Sequence, residues 1–363
     1  AYRDVDPAKP EQAPELSSLR EARRAFSEAV ERERMPSEAY LHLAELTDEK
    51  RPEDPKLVAE VIELLGKAVE ANDKLPRYAE REALYLAEVS FRARAIPKLE
   101  AVYERPGTSG KVPFALARLA REQLDFDELE ALPETFDDWL EQAEARGGVP
   151  ARDIEVLGAW ALLERDKPQE ALDLLEPMLA ANEEDIELRV HVVHAYMELR
   201  DRDTALTTVK RGLGTLPDER KGLMFYEWAN IMSRGGKRKA AATHAANGWK
   251  KLSTQGDVTP VDLLIYAGEA IRLLNRDKQP KPASSIGRDI TELVPFHSDA
   301  WVIRADAEMR TNRGSDAKAS AEKAVELDSQ NPRAHDVLGQ VWLRFGRKDR
   351  AKESFERALE LAR

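Results

Sequence analysis

Two histidines are the side chains in this sequence whose type and spacing come nearest to a chemical site. His191 and His194 lie three residues apart on one expected helix, so their imidazoles occupy neighbouring positions and could both reach a metal ion. The simpler interpretation is two ordinary helical residues, with His194 on an inner face and His191 toward the packed side. The other histidines stand alone, without a motif around them: His42, His244, His297 and His335.

The motifs of common enzyme classes are absent from the sequence. It contains no glycine-rich phosphate loop, no nucleophile elbow and no HExxH helix. Cysteine is absent, which excludes disulfides, thiol catalysis and thiolate metal ligands. Carboxylates are so abundant that chance pairs are plentiful, and the acidic run from Glu183 to Asp185 suits the dipole of a helix start. We therefore expect no catalytic residue, no cofactor and no metal site.

The composition limits the classes of partner. The chain of 363 residues has a net charge of -12, whereas binding a nucleic-acid backbone is driven by clustered Lys and Arg. No run of about 18 apolar residues exists, so no segment is expected to insert into a membrane. With 34% charged and 42% hydrophobic residues, the sequence suits helices with solvated outer faces. These properties favour a protein or peptide partner, with neither nucleic acid nor direct membrane insertion.

The N-terminal residues 1–17 are predicted to be an extended tether, because Pro7, Pro10 and Pro14 lie there in a polar stretch. This stretch could follow a cleaved signal or anchor, or mark where a longer chain was trimmed. The lack of cysteine and the Pro-rich start favour an extracytoplasmic, periplasmic location over a cytoplasmic one.

A repeat organises the rest of the chain. A small or short apolar residue recurs on what we expect to be the second helix of each hairpin: Ala22, Val61, Ala95, Ala171, Ala205, Ala241, Ala283, Ala317 and Ala351. Five of the eight intervals are 34 to 36 residues, and the longest leaves room for one more unit around Leu129. A chain this long would otherwise need two or three domains, but a repeat array grows by stacking.

The last unit shows the pattern best. Gly339 and Ala351 stand where two antiparallel helices should cross closely, and Gly346 should end the first helix in the left-handed conformation. Phe355 and Ala358 then face the neighbouring hairpin. This unit resembles the tetratricopeptide repeat, whose period is about 34 residues. Pentatricopeptide repeats have a similar length, but they bind RNA in a basic groove that this acidic chain lacks.

The resemblance covers the chain from about Leu19 to Arg363 and implies an all-α fold. The implied architecture is a right-handed α-solenoid of antiparallel helix hairpins with about nine to ten units. Residues 18–103 would hold N-terminal repeats, 104–150 an irregular segment with an inserted helix around Phe136 and Trp139, and 151–363 a regular array. The sequence leaves open whether the inserted helix packs over the groove or on the outer face.

The resemblance also implies that partners bind in a concave groove lined by the first helices. The candidates for this groove are Trp160, His194, Met197, Tyr226, Asn230, Ser233, Glu269, Arg272, Asp306, Arg310, Gln340 and Arg344. They form a mixed-charge surface with aromatic anchors, suited to an extended peptide or a helix. The Lys and Asn clamp for chaperone tails is not reproduced, since only Asn230 occupies an Asn position of that clamp.

Three functions fit these observations. The first is a non-enzymatic scaffold or adaptor that binds partner proteins within a larger, bacterial assembly. The second is the recognition arm of a larger enzyme, such as a glycosyltransferase or protease, whose catalytic domain lies outside this chain. The third is a structural module that associates end to end with further copies of itself.

Overall fold

The computed structural model describes most of the chain. The described residues are 16–31, 36–49, 57–126, 128–255, 258–311 and 313–362. Within these ranges every regular element is a helix and no strand occurs. Residues 1–15 of the predicted tether lie outside the described ranges, and residues 16 and 17 already belong to the first helix. Among the described helices, none is long and apolar enough to cross a bilayer.

The described residues form nineteen α-helices. The first ten are α1 (Leu16–Glu31), α2 (Pro36–Asp48), α3 (Leu57–Ala71), α4 (Pro76–Glu88), α5 (Arg92–Tyr103), α6 (Lys111–Asp125), α7 (Phe136–Arg146), α8 (Ala151–Glu164), α9 (Pro168–Ala181) and α10 (Ile186–Glu198). The other nine are α11 (Arg202–Thr215), α12 (Gly222–Arg234), α13 (Arg238–Leu252), α14 (Pro260–Arg276), α15 (Pro280–Leu293), α16 (Ser298–Arg310), α17 (Gly314–Leu327), α18 (Pro332–Arg344) and α19 (Lys348–Leu361).

The helices pack as a solenoid of hairpins. Each even-numbered helix from α2 to α18 packs against the next odd-numbered helix, which gives nine hairpins, and α1 packs against α2. Even-numbered helices of successive hairpins also touch one another along most of the array, for example α10 with α12 and α14 with α16. The predicted all-α solenoid is therefore confirmed.

The segment 104–150 contains an ordinary hairpin. Helix α7 packs against α6 and α8, as the second helix of a hairpin does elsewhere in the array. The backbone amide of Gly110 donates to the carbonyl of Gly147 over 2.9 Å, which joins the start of α6 to the end of α7. Phe136 is fully buried and its ring lies 6.0 Å from that of Trp160. The helix around Phe136 thus belongs to the stack rather than covering it.

The turns between the two helices of most hairpins share one backbone hydrogen bond. An amide just after the first helix donates to the carbonyl five residues earlier, as in a Schellman motif. This bond occurs in seven hairpins: Phe91 to Leu86, Lys167 to Leu162, Asp201 to Tyr196, Lys237 to Met232, Gln279 to Leu274, Arg313 to Glu308 and Arg347 to Trp342. Gly346 has φ +70°, as the sequence predicted.

Among the residues that the structure describes, four that are not glycine occupy the same turn position with positive φ: Ser90, Asp166, Arg200 and Lys278. A left-handed conformation costs such residues about 1 kcal/mol or more. The capping hydrogen bond and the packing of the two helices must offset that cost, so the hairpin, rather than the local sequence, fixes these turns.

Glycine allows α12 and α13 to approach closely. A Cβ added to Gly248 would lie 2.8 Å from Cδ2 of Tyr226 and 3.1 Å from the carbonyl oxygen of Gly222. The Tyr226 ring cannot easily move, because it is fully buried and packs 4.8 Å from the ring of Tyr266. The contact therefore admits no side chain at position 248.

We expect Gly248→Ala to lower the free energy of unfolding by about 1 to 3 kcal/mol, the usual cost of overpacking a well-filled core. Gly214→Ala is the control, because Gly214 lies in α11 with no atom within 4 Å of its added Cβ. There, alanine should be neutral or slightly stabilising through helix propensity. Thermal unfolding followed by circular dichroism measures both, and equal transition temperatures for the two variants would contradict the packing argument.

Candidate functional site

The concave side of the solenoid forms a large cavity that is open to solvent, which we call the inner cavity. Its volume is about 1560 Å³. Most of its wall comes from the even-numbered helices, represented by Arg121 of α6, His194 of α10, Glu227 of α12, Glu269 of α14, Asp306 of α16 and Gln340 of α18. The turn before α5 and one face of α19 complete the wall. The cavity is thus the concave side of the array.

Seven of the twelve predicted groove residues line this cavity. They are His194, Asn230, Glu269, Arg272, Asp306, Arg310 and Gln340. The structure brings them together from five successive inner helices, at intervals set by the hairpin repeat. The fold places these seven residues on one surface. Their role in binding stays a prediction.

The other five predicted groove residues do not line the cavity. Trp160, Met197 and Tyr226 are buried in the hydrophobic core, where each packs against residues of neighbouring helices. Ser233 is half-buried near the end of α12. Arg344 is exposed and donates from Nη1 to the carbonyl of Met309 over 2.7 Å, which ties α18 to α16.

Several wall residues lie one or two helical turns before a predicted one. Glu227 precedes Asn230 by three residues, Asp336 precedes Gln340 by four, and Asp262 precedes Glu269 by seven. The helical period places such pairs on one face, so extending each predicted position toward the N-terminus would have found these residues. Ser90, Arg92 and the face of α19 also line the cavity, but no helical spacing from a predicted residue indicates this.

Much of the charge on the wall is paired along single helices. The Arg272 guanidinium is ion-paired with Glu269, and Arg310 Nε donates to Asp306 Oδ2 over 3.1 Å. Gln340 Nε2 donates to Asp336 Oδ2 over 2.6 Å. These groups are half-buried or exposed, so each pair contributes little to stability and its members can exchange partners with a ligand.

The acidic part of the wall lies around His194. Its Nε2 is 3.0 Å from Oε2 of Glu227, whose side chain is 2% exposed. Burial acts to lower the pKa of His194, but the Glu227 carboxylate overcomes this effect and raises it. Burial also raises the pKa of Asp125, with Asp262 acting in the same direction and Arg121 against it. This region can therefore carry either a proton or a cationic group of a ligand.

His191 does not share this environment. Its ring is buried, and neither ring nitrogen has a hydrogen-bond partner among the described residues. Burial lowers its pKa well below the usual value, and nearby Arg121 acts in the same direction. The rings of His191 and His194 meet edge to face with centroids 6.4 Å apart. Across the described ranges, no group of three or more His, Cys, Asp or Glu side chains is arranged to hold a metal ion.

A buried, mainly polar cluster forms part of the wall of the cavity, and we call it the clasp. It consists of Ser90, Arg92, Phe126, Glu128, His297, Asp299, Asn331 and Arg333. Its central bond runs from Arg92 Nη2 to Asp299 Oδ2 over 2.8 Å, between residues 207 positions apart in the sequence. The side chains of these two residues are only 5% and 1% exposed. The clasp therefore joins distant parts of the solenoid.

Both charges of this central pair have further partners. Arg92 Nη2 donates to Glu128 over 2.7 Å, and Arg333 Nη1 donates to Asp299 over 2.9 Å. Both guanidiniums also lie against the ring of Phe126, whose centroid is 4.1 Å from that of Arg92 and 4.7 Å from that of Arg333. Burial alone would raise the pKa of Asp299, but the two guanidiniums hold it well below its usual range. Asp299 is thus fixed as an anion.

His297 adds a neutral link to the clasp. Its Nδ1 accepts a hydrogen bond from the backbone amide of Asp299 over 3.1 Å and caps the start of α16. An accepting Nδ1 places the ring proton on Nε2, which donates to the carbonyl of Ser90 over 3.0 Å. Burial lowers the pKa of His297 to about 4, with Asp299 opposing and Arg92 reinforcing the shift. The neutral ring is therefore part of the closed structure.

Comparison with known proteins identifies a repeat family over part of the chain. Two family models described as tetratricopeptide repeat match residues 162–224 and 332–363. Among solved structures, the chain is similar to residues 41 to the end of MamA from Desulfovibrio magneticus RS-1, with 18% identity, coverage of 48% of this chain and 93% of that one, and a TM-score of 0.38. No curated protein matches the chain.

Two further solved structures are similar in the same way. Yeast Tom70 has 14% identity, coverage of 96% of this chain and 93% of that one, and a TM-score of 0.48. YrrB, described as a tetratricopeptide repeat protein with an unusual peptide-binding site, has 16% identity, coverage of 52% and 91%, and a TM-score of 0.36. With TM-scores below 0.5, these likenesses add nothing to what the family-model matches establish.

The lowered pKa of His297 predicts how the free energy of unfolding depends on pH. Its folded pKa of about 4 lies below the ordinary value of 6.5, so its contribution is complete above pH 6.5 and is lost as the pH falls toward 4. Asparagine can cap α16 without titrating in this range. Lowering the pH from about 7.5 to about 5 should therefore destabilise the wild type relative to His297→Asn by about 2 kcal/mol.

Thermal unfolding of both proteins at the two pH values measures this difference. His335→Asn is the control, because His335 is on the surface of α18 and its ring contacts the carbonyl of Ser329 rather than the clasp. The interpretation is wrong if His297→Asn and His335→Asn respond to pH alike.

Proposed function

We propose that this chain, of which two stretches match tetratricopeptide repeat models, is a non-enzymatic scaffold whose inner cavity holds an extended segment of a partner protein within a larger bacterial assembly. The observation that carries this proposal is the wall of the cavity, in which charged and polar side chains are mixed with apolar ones. Seven predicted groove residues from five consecutive inner helices face the same space. A wall with contacts at regular spacing fits a chain that runs along it.

The wall offers the chemistry that a polypeptide backbone and its side chains require. The amide of Asn230 makes no hydrogen bond to any described residue, so it can both donate to and accept from a peptide group. Next to it, the Arg272 and Glu269 pair can be exchanged for a charged side chain of the partner. Toward α6, the carboxylates around His194 favour a basic residue. The proposed segment is therefore extended and carries at least one cationic side chain.

Binding would come from several modest contacts that add together. Single exposed polar contacts are weak, but contacts on one rigid wall are made by one ligand at once and need not pay the association entropy separately. Loss of two neighbouring contacts should weaken binding by at least about tenfold, since each 1.4 kcal/mol is a factor of ten in affinity.

The test is affinity purification from the native cell with the full-length protein as bait. We compare the wild type with the double variant Asn230→Ala and Arg272→Glu, which removes the free amide and reverses one charge in the wall. A partner that binds in the cavity is recovered with the wild type and lost with this variant, while circular dichroism shows an unchanged helix content.

A matched control carries the same chemical changes on odd-numbered helices: Asn247→Ala on α13 and Arg288→Glu on α15. Both residues are exposed and neither lines the cavity. This variant should keep the partner. If the cavity variant and the control recover the same proteins, the cavity is not the binding surface and the proposal fails.

Self-association is a second candidate, and the face of α19 supports it. Phe355, Leu359 and Ala362 lie at helical spacing on the side of α19 that lines the cavity, and Leu359 is 65% exposed. An apolar face of this kind can bind a helix of a second copy.

Light scattering across a range of concentrations tests this candidate. We expect the wild type to show a mass that rises with concentration and Leu359→Glu to remain monomeric. Glu353→Lys, on the other side of α19, should behave as the wild type does. A constant monomer mass for the wild type would remove self-association from consideration.

A further inference from the structure

The turns inside the four C-terminal hairpins form a strongly basic edge of the solenoid, which we call the basic edge. Even-numbered helices of successive hairpins pack side by side, so the turns that follow them lie along one edge of the array. With the adjoining helix ends, these turns hold fourteen basic and three acidic residues, at positions 234–239, 276–281, 310–316 and 344–352. The whole chain, in contrast, has a net charge of -12.

The opposite edge of the array has the opposite charge. It carries the turns between hairpins, of which five hold nine acidic and two basic residues, at positions 182–187, 216–221, 253–259, 294–299 and 328–331. The two kinds of turn alternate along the chain, whereas the fold collects each kind on its own edge. The positive charge of the basic edge is therefore a property of the folded array and is hidden in the overall composition.

Helix dipoles explain only part of this positive charge. A basic side chain is favoured in the last turn of a helix and disfavoured at its N-terminus. Four cations of the basic edge have the favoured position: Arg234, Arg276, Arg310 and Arg344. Eight others lie at or just before the first turn of an odd-numbered helix: Lys237, Arg238, Lys239, Lys278, Lys281, Arg313, Arg347 and Lys348. The position of these eight costs stability, so folding does not account for it.

The same eight cations are available to a partner. All are exposed, and none forms an ion pair with a carboxylate of the residues that the structure describes. None of them lines the inner cavity. Cations with the favoured position behave differently, since Arg234 pairs with Glu198 and Arg310 with Asp306. The cations that the helix dipole disfavours are thus also the ones that the fold leaves free.

Large apolar side chains are exposed at the same edge. Leu343 is 55% exposed at the end of α18, and Phe345 is 45% exposed in the turn that carries Arg347 and Lys348. Cations beside exposed apolar side chains suit an anionic membrane, because the headgroups attract the cations while the apolar side chains enter the interface. The phosphates of a nucleic acid offer nothing to a leucine, and an acidic peptide is better held in a groove than along a row of turns.

We propose that the basic edge binds the surface of a membrane that contains anionic lipids. The eight free cations supply an attraction that is spread over four hairpins, and Leu343 and Phe345 reach the boundary between headgroups and acyl chains. Binding at the surface needs no membrane-spanning helix, and none occurs among the described helices. The inner cavity takes no part in this contact, so the protein can hold a membrane and a polypeptide segment at once.

Sedimentation of the full chain with lipid vesicles tests the proposal. We compare vesicles of phosphatidylcholine with vesicles of phosphatidylcholine and phosphatidylglycerol. Anionic vesicles repel an acidic protein unless one of its surfaces is basic. We therefore expect binding only to the vesicles with phosphatidylglycerol, and we expect high salt to weaken it.

The variant Lys237→Gln, Lys281→Gln and Lys348→Gln removes one cation from each of three turns. A lysine near an anionic surface contributes a factor of roughly five to partitioning, so this variant should bind about a hundredfold more weakly. Because the lysines lie at helix starts, their loss should leave the helix content unchanged by circular dichroism.

A matched control removes the same charge from exposed lysines outside the basic edge: Lys111→Gln, Lys210→Gln and Lys250→Gln. This variant should bind as the wild type does. If the two lysine variants bind alike, binding follows net charge rather than the basic edge, and the proposal is wrong.

The absence of cysteine from the chain allows one label to report contact with lipid. A polarity-sensitive fluorophore on Leu343→Cys should shift its emission to shorter wavelength when anionic vesicles are added. The control is Leu174→Cys on α9, where the native leucine is 47% exposed and lies away from the basic edge. Its emission should not change. Equal shifts at both positions would mean that the protein binds in no fixed orientation, which contradicts the proposal.

Two further outcomes would overturn the proposal. The first is a wild type that does not sediment with anionic vesicles. The second is a basic edge that binds a polyglutamate peptide but no vesicles, since its partner is then an acidic polypeptide. None of the substituted residues lines the inner cavity, so these results are independent of the affinity purification with the cavity variant.

Discussion

The buried ion pair between Arg92 and Asp299 is the constraint on which the closed form of the molecule depends. A solenoid of hairpins has no inherent reason to touch itself, since each hairpin packs only on its neighbours. Here the stacking angle brings the turn before α5 against the start of α16, and a charged network occupies the contact. The contact bounds the concave surface on one side, since the residues of the clasp line part of the inner cavity.

The fold followed from the sequence because its determinants are local and repeated. Ala205, Ala241 and Ala351 mark the second helix of their hairpins, and all three are buried at helix crossings. Gly346 ends a first helix as its residue type requires. Ser90 and Lys278 occupy the same turn position without being glycine, so the turn type could not be read from them individually. In those two hairpins, the repeat period of the chain indicated the helix hairpin, and the residue at the turn did not.

The candidate site was accessible from the sequence only in part. Asn230, Glu269 and Asp306 were placed correctly on the wall because a helical register extends across each inner helix. Tyr226 lies one turn before Asn230 on α12 but does not line the cavity, because its ring is buried and packs on Tyr266. No feature of the sequence indicated the clasp. Arg92 and Asp299 lie in different repeats, and no periodicity relates a turn residue to a helix start so far along the chain.

The clasp also limits where the array can gain or lose a hairpin. A solenoid can ordinarily gain or lose a hairpin with little consequence, because every junction is equivalent. Between Arg92 and Asp299, however, an additional hairpin would rotate and advance all that follows, so that these two side chains would no longer meet. A duplication before α4 or after α18 would not separate the residues of the clasp, because all of them lie between Ser90 and Arg333. The geometry of the clasp therefore fixes the number of hairpins between Arg92 and Asp299.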